Sequence, residues 1–71
     1  MNVHLKRLRQ EHDGMTQQAL AAQIGVTRQT IIAIERGNYQ PSVELALRLA
    51  RELGTSVEAI FELAEESEPK S

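Results

Sequence analysis

The 71-residue chain contains no cysteine, which excludes disulfides, thiolate zinc sites and cysteine nucleophiles. No apolar run approaches ~18 residues, so no transmembrane span is expected. The opening MNVHLKRLRQ is polar and charged where a signal peptide would be apolar, and a cytoplasmic protein is the default expectation. A glycine-rich phosphate loop is also missing. His4 and His12 lie about 12 Å apart along one helix, so they do not share a metal ion without partners. Neither falls in a catalytic spacing, and the glutamates from residue 44 onward fall mostly on solvated helix faces. No enzyme activity, metal or cofactor is expected.

Net positive charge is lacking too. The formal charge is −2, unusual for a nucleic-acid binder. The distribution is uneven, however. Residues 1–40 hold five Lys/Arg against three Asp/Glu, and residues 41–71 hold three against seven. The acidic half is thus separate from the basic one. Sustained period-two alternation is absent as well, and β-branched residues sit mostly at helix core positions. The class is therefore all-α.

What is present reads as five short helices. Residues 3–12 form the first, with Val3, Leu5 and Leu8 as its apolar contacts. His12-Asp13-Gly14 ends it, with Gly14 suited to a left-handed cap. Thr16 caps the second helix and Met15 packs beneath it as a staple. Gly25 ends that helix. Thr27 caps the third, which runs to Arg36 and stops at Gly37. Asn38-Tyr39-Gln40-Pro41 is a loop. Ser42 caps a fourth helix, with Ala46, Leu49, Ala50 and Leu53 at helical spacing, and Gly54 terminates it. Thr55 with Glu58 forms a capping box for a short fifth helix containing Val57, Ile60 and Phe61. Residues 1–63 make one domain, and residues 64–71 an acidic, frayed tail.

The most specific stretch is Gln17–Arg36, QQALAAQIGVTRQTIIAIER. Two short helices are joined there by a turn at Gly25, a residue that adopts positive φ at little cost. Leu20, Ile24, Val26, Ile31 and Ile34 face inward, and Ala21 is small where the second helix passes close by. Arg28, Gln29, Ile32, Ala33 and Arg36 are left facing outward on the second helix. Such a face suits the major groove of double-stranded DNA: Arg reads guanine, Gln reads adenine, and methyl groups touch thymine.

The stretches LRQEHDGMTQQALAAQIGV, TRQTIIAIERGNYQPS and ELALRLARELGTSVEAIF, in this order, resemble the Cro/C1-type (xenobiotic-response-element) helix-turn-helix regulators. The compact single-domain members, with T/S-R-Q-T-I before I-E-x-G-x-Y-x-P-S, are the most similar. The resemblance implies a compact five-helix, lambda-repressor-like domain. It further implies a homodimer that binds a two-fold-related operator and represses transcription. In many relatives the first-helix arginine pairs with the glutamate near the end of the recognition helix, here Arg9 and Glu35. One more residue than usual separates Arg9 from Thr16, an insertion that lengthens the first turn and works against that pairing. Relatives also often carry a polar residue at Ile32.

The N-terminal part of the recognition helix, residues 27–36, is expected to enter the groove. Arg28 and Gln29 are assigned to base edges, the alternative for Arg28 being a phosphate contact. Ile32 and Ala33 are weaker candidates for thymine methyl groups, Ile32 alternatively packing locally. Gln17 opens a helix whose N-terminal amides favour an anion, and its side chain is expected to bond a phosphate; in relatives the same group also buttresses the base-reading residue. Thr27, Thr30, Arg36, Asn38, Tyr39 and Gln40 are further candidates for the DNA backbone. Thr30 alternatively bonds its own helix backbone, and Tyr39 alternatively packs on the domain edge. A two-fold pair would place recognition helices about 34 Å apart, so the dimer surface lies beyond the motif. Ile60, Phe61 and Leu63 are the candidates, with Leu47 or Leu53 behind them, while Phe61 serves equally well as a core plug. The competing reading is a protein-interaction module, such as an antitoxin, that uses the acidic half to bind a protein partner.

Overall fold

A computed structural model describes residues 1–63; the proposed tail, 64–71, lies outside the described residues. The chain runs β1 (Asn2–Val3), α1 (Leu5–Glu11), α2 (Gln17–Ile24), α3 (Arg28–Glu35), α4 (Val43–Glu52), α5 (Val57–Ile60) and β2 (Phe61–Glu62). Five helices around one core make it an all-α domain, as the sequence pattern implies.

The helix starts are set by hydroxyl caps. Thr16 accepts from the Ala19 amide at 3.0 Å, Thr27 from Thr30 at 3.3 Å and Ser42 from Leu45 at 3.1 Å. Each satisfies one orphan donor of the first turn. The fifth helix corrects the expected capping box: Ser56, not Thr55, accepts from the Ala59 amide at 3.1 Å. Thr55 is already committed to the end of α4, where its amide donates to the Ala50 carbonyl at 2.9 Å and Gly54 donates to Arg51 at 3.2 Å. These are the two bonds of a Schellman ending, so the next helix begins one residue later.

The first helix is shorter than expected. Val3 belongs to β1, which pairs antiparallel with β2 through Asn2–Glu62 and Val3–Phe61. The His4 amide donates to the Ile60 carbonyl at 2.8 Å, and His4 Nε2 lies 2.8 Å from Glu62 Oε1. Among the described residues no side chain caps α1. The two ends of the domain instead hold each other, and this pairing across nearly the whole chain has no local sequence signal.

The extra residue after Arg9 is absorbed by two consecutive left-handed residues, Asp13 at φ +58° and Gly14 at +63°. Aspartate is among the few non-glycine residues that tolerate this region. At the second critical turn Gly25 has φ +78°. There the Val26 amide reaches the Ala21 carbonyl at 3.0 Å, which swings the chain directly into α3.

The core gathers Leu5, Leu20, Ala21, Ile24, Ile31, Ile34, Leu49, Ala50, Leu53 and Ile60. Val3, Leu8, Met15, Val26, Leu45, Val57 and Phe61 pack around it. Among the described residues the α2–α3 packing is the most extensive, and Ala21 of α2 is fully buried. The relative orientation of these two helices is therefore fixed by side chains that cannot shift without opening a void.

Candidate nucleic-acid interface

Ile31 and Ile34 are both fully buried and fix the rotation of α3. With 100° per residue, that leaves Arg28, Gln29 and Arg36 exposed, and Ile32 and Ala33 half-buried. Arg28, Ile32 and Arg36 follow one another at four-residue spacing and make a stripe along one flank. This flank faces a cleft lined by Lys6, Gln17, Arg28, Ile32, Glu35 and Arg36. Ile32 is thus an apolar part of a cleft wall, beside α1 and the start of α2. Gln29 and Ala33 lie off that cleft, on the outward side of the helix.

Behind the cleft lies an ion pair. Arg9 Nε donates to Glu35 Oε2 at 2.7 Å and an Arg9 terminal nitrogen to Glu35 Oε1 at 3.3 Å. The other terminal nitrogen donates to the Met15 carbonyl at 2.8 Å. Both side chains are more than nine-tenths buried, at 8% and 7% exposure. The longer first turn therefore does not prevent the pairing. The left-handed Asp13-Gly14 step takes up the additional residue, and the Met15 carbonyl remains within reach of Arg9.

Gln17 completes the network, its side-chain amide donating to Glu35 Oε1 at 3.0 Å. One donor of Gln17 is thereby held inward. Its amide oxygen and second N–H remain, and they sit at the N-terminal end of α2. The expected backbone contact by Gln17 starts from a side chain already oriented by a buried carboxylate. Such pre-organisation lowers the entropy cost of binding.

The remaining candidates differ in what they still have to offer. The Thr27 and Thr30 hydroxyls lie 3.1 Å apart and share a hydrogen bond, so the Thr30 side chain bonds the capping hydroxyl rather than the helix backbone. Asn38 donates its backbone amide to the Ala33 carbonyl at 2.9 Å, which leaves only its side chain for a phosphate. Tyr39 and Gln40 are exposed. Among the dimer candidates, Ile60 must be corrected: it is fully buried and has no surface to give a partner. Phe61 is half-buried against the core and Leu63 is 83% exposed. Leu53 is buried in the core, whereas Leu47 is exposed, as is Val43 one turn before it.

Lys6 was not foreseen. It stands three residues before Arg9, on the same side of α1, so the face that carries Arg9 to α3 carries Lys6 there too. Spacing on one helix would have revealed it only once Arg9 was known to meet Glu35.

Comparison with known proteins places this geometry. A helix-turn-helix family model matches residues 5–60. The chain is 57% identical over 54 residues to an HTH-type transcriptional regulator of Methanothermobacter thermautotrophicus, covering 75% of this chain and 78% of that one. It is 49% identical over 61 residues to one from Methanocaldococcus jannaschii, with 86% and 91% covered. Against the HTH-type transcriptional regulator YgzD of Bacillus subtilis it is 42% identical over 67 residues, with 94% and 100% covered.

Proposed function

The chain belongs to the Cro/C1-type helix-turn-helix family of DNA-binding transcriptional regulators, and we propose on that premise that it is a repressor that binds a two-fold-related operator as a homodimer. One observation carries this reading. The exposed Arg28 and Gln29 project from the first turn of a helix whose rotation is locked by buried Ile31 and Ile34. Arg28 pairs with guanine and Gln29 with adenine, each good bidentate pair contributing about 1–3 kcal/mol of discrimination. Ala33, on the same outward side, accommodates a thymine methyl. Gln17, Thr27, Thr30, Arg36, Asn38, Tyr39 and Gln40 position the domain on the backbone, fixing register without reading sequence.

One domain reads only a few base pairs, so specificity calls for two. The homodimer is supported by apolar surface away from α3. Val43 and Leu47 stand one turn apart on α4, exposed at 77% and 56%. Beside them a mostly apolar groove is lined by Met1, Gln40, Pro41, Val43, Ala46, Val57 and Phe61, with exposed Leu63 following β2. This surface replaces Ile60 in the proposed interface and keeps Phe61 and Leu63. A dimer seated over its site in the cytoplasm excludes polymerase from the same DNA.

The test is selection of binding sites from a randomised duplex library at physiological salt, with wild type and Arg28→Ala in parallel. A two-fold-related consensus that loses one base preference in the variant is the expected result. If wild type enriches no sequence, the reading fails and a protein partner, as for an antitoxin, becomes the object of search.

A further inference from the structure

The described residues include seven Lys/Arg side chains. Arg7, Arg9 and Arg48 are engaged in ion pairs with Glu11, Glu35 and Glu44. Of the four cations without a carboxylate partner among the described residues, three line the same cleft: Lys6, Arg28 and Arg36. The fourth, Arg51, is elsewhere on α4. This grouping is unusual in a chain with more carboxylates than cations, because like charges sharing a cleft repel. The only carboxylate in the wall, Glu35, is neutralised from behind by Arg9. Gln17 adds a donor and Ile32 an apolar wall. Such a grouping of positive charge favours an anion.

We propose that this cleft seats a phosphate of the DNA backbone and that Lys6, on α1, is a phosphate-contacting residue. The inference rests on the DNA-binding reading above and adds α1 to the surface that meets DNA. Arg28 and Arg36 are eight residues apart, about 12 Å along the helix, and approach the cleft from its two ends. Lys6 adds its charge to theirs from the α1 side. A lysine contributes here as a point charge without base preference.

The test is the salt dependence of binding to the selected duplex, measured by fluorescence anisotropy for wild type, Lys6→Ala, Lys6→Arg and Arg7→Ala. Each phosphate neutralised contributes about 0.9 to the slope of log K against log salt. Lys6→Ala is expected to reduce the slope by about 0.9, which weakens binding about 5-fold at about 0.15 M salt and about 15-fold at about 0.05 M. The loss should be equal on mismatched duplexes, so the consensus is unchanged, and Lys6→Arg should restore the slope. Arg7 is adjacent on the same helix and carries the same charge, but it does not line the cleft; its removal should leave the slope nearly unaltered. An unchanged slope in Lys6→Ala with tight wild-type binding overturns the proposal and leaves the DNA reading standing. So does an equal loss from Arg7→Ala, which marks diffuse charge. Wild type that prefers no duplex overturns both. Lys6 is exposed, so the variant folds, and circular dichroism verifies this.

Discussion

The Arg9–Glu35 pair sets up a double-mutant cycle whose outcome the structure fixes in advance. Both side chains are more than nine-tenths buried, so each charge depends on the other for its solvation. Arg9→Met leaves the Glu35 carboxylate with the Gln17 amide as its one remaining side-chain partner. Glu35→Leu leaves the Arg9 guanidinium with only the Met15 carbonyl. Breaking a buried pair from one side costs about 3–5 kcal/mol, whereas replacing both partners with apolar residues is often close to neutral. A domain of this size has a total stability of about 3–9 kcal/mol, at about 0.05–0.15 kcal/mol per residue. Each single variant is therefore expected to be marginal or largely unfolded at 25 °C. Arg9→Met/Glu35→Leu should retain a cooperative transition. Urea denaturation followed by far-ultraviolet circular dichroism reads this directly. With a slope of about 1 kcal/mol per molar, a 3 kcal/mol loss moves the midpoint by about 3 M. The coupling energy should exceed about 2 kcal/mol. Single losses below about 1 kcal/mol, or additivity to within about 0.5 kcal/mol, would refute the claim that the two charges are mutually dependent and buried. The folded double variant has a second use. Gln17 has lost its acceptor there, so affinity for the selected duplex should fall several-fold without loss of fold.

Three further outcomes are expected. Gly25→Ala meets no atom within 4 Å of the added Cβ, so its cost is that of positive φ alone, about 1–2 kcal/mol. That corresponds to a thermal midpoint lowered by roughly 4–16 °C, at about 4–8 °C per kcal/mol; an unchanged midpoint would contradict the left-handed turn. Ser56→Ala should destabilise by about 1 kcal/mol through loss of the α5 cap, and Thr55→Ala by clearly less, since only the Thr55 backbone is used; chemical denaturation separates the two, and the reverse order would restore the capping box read from sequence. Leu47→Asp should yield a monomer in sedimentation experiments at concentrations where wild type is dimeric, with unchanged circular dichroism, and a monomeric wild type would remove the dimer from the proposed function.

Much of this protein is local and was legible in its residues. Helix caps act over three residues, apolar periodicity over four, and left-handed turns at single glycines, so the five helices, the motif at 17–36 and the outward face of α3 follow from neighbours in the chain. The family resemblance rests on the same local pattern. Tertiary structure decided what depends on distant residues coming together. Arg9 and Glu35 are 26 residues apart, and only the packing of α1 on α3 decides that they meet, despite the lengthened turn. The Val3–Phe61 pairing joins the two ends of the domain, and it removed Val3 from the helix in which its spacing had placed it. Sequence alone placed Ile60 at the interface, as an apolar residue beyond the motif; its complete burial puts it in the core instead. The meeting of Lys6 with Arg28 and Arg36 belongs to the same class. Sequence determined that each is charged and that Arg28 and Arg36 face outward, but the crossing of two helices decided that all three face one cleft, because electrostatic interaction depends on distance in space and not along the chain.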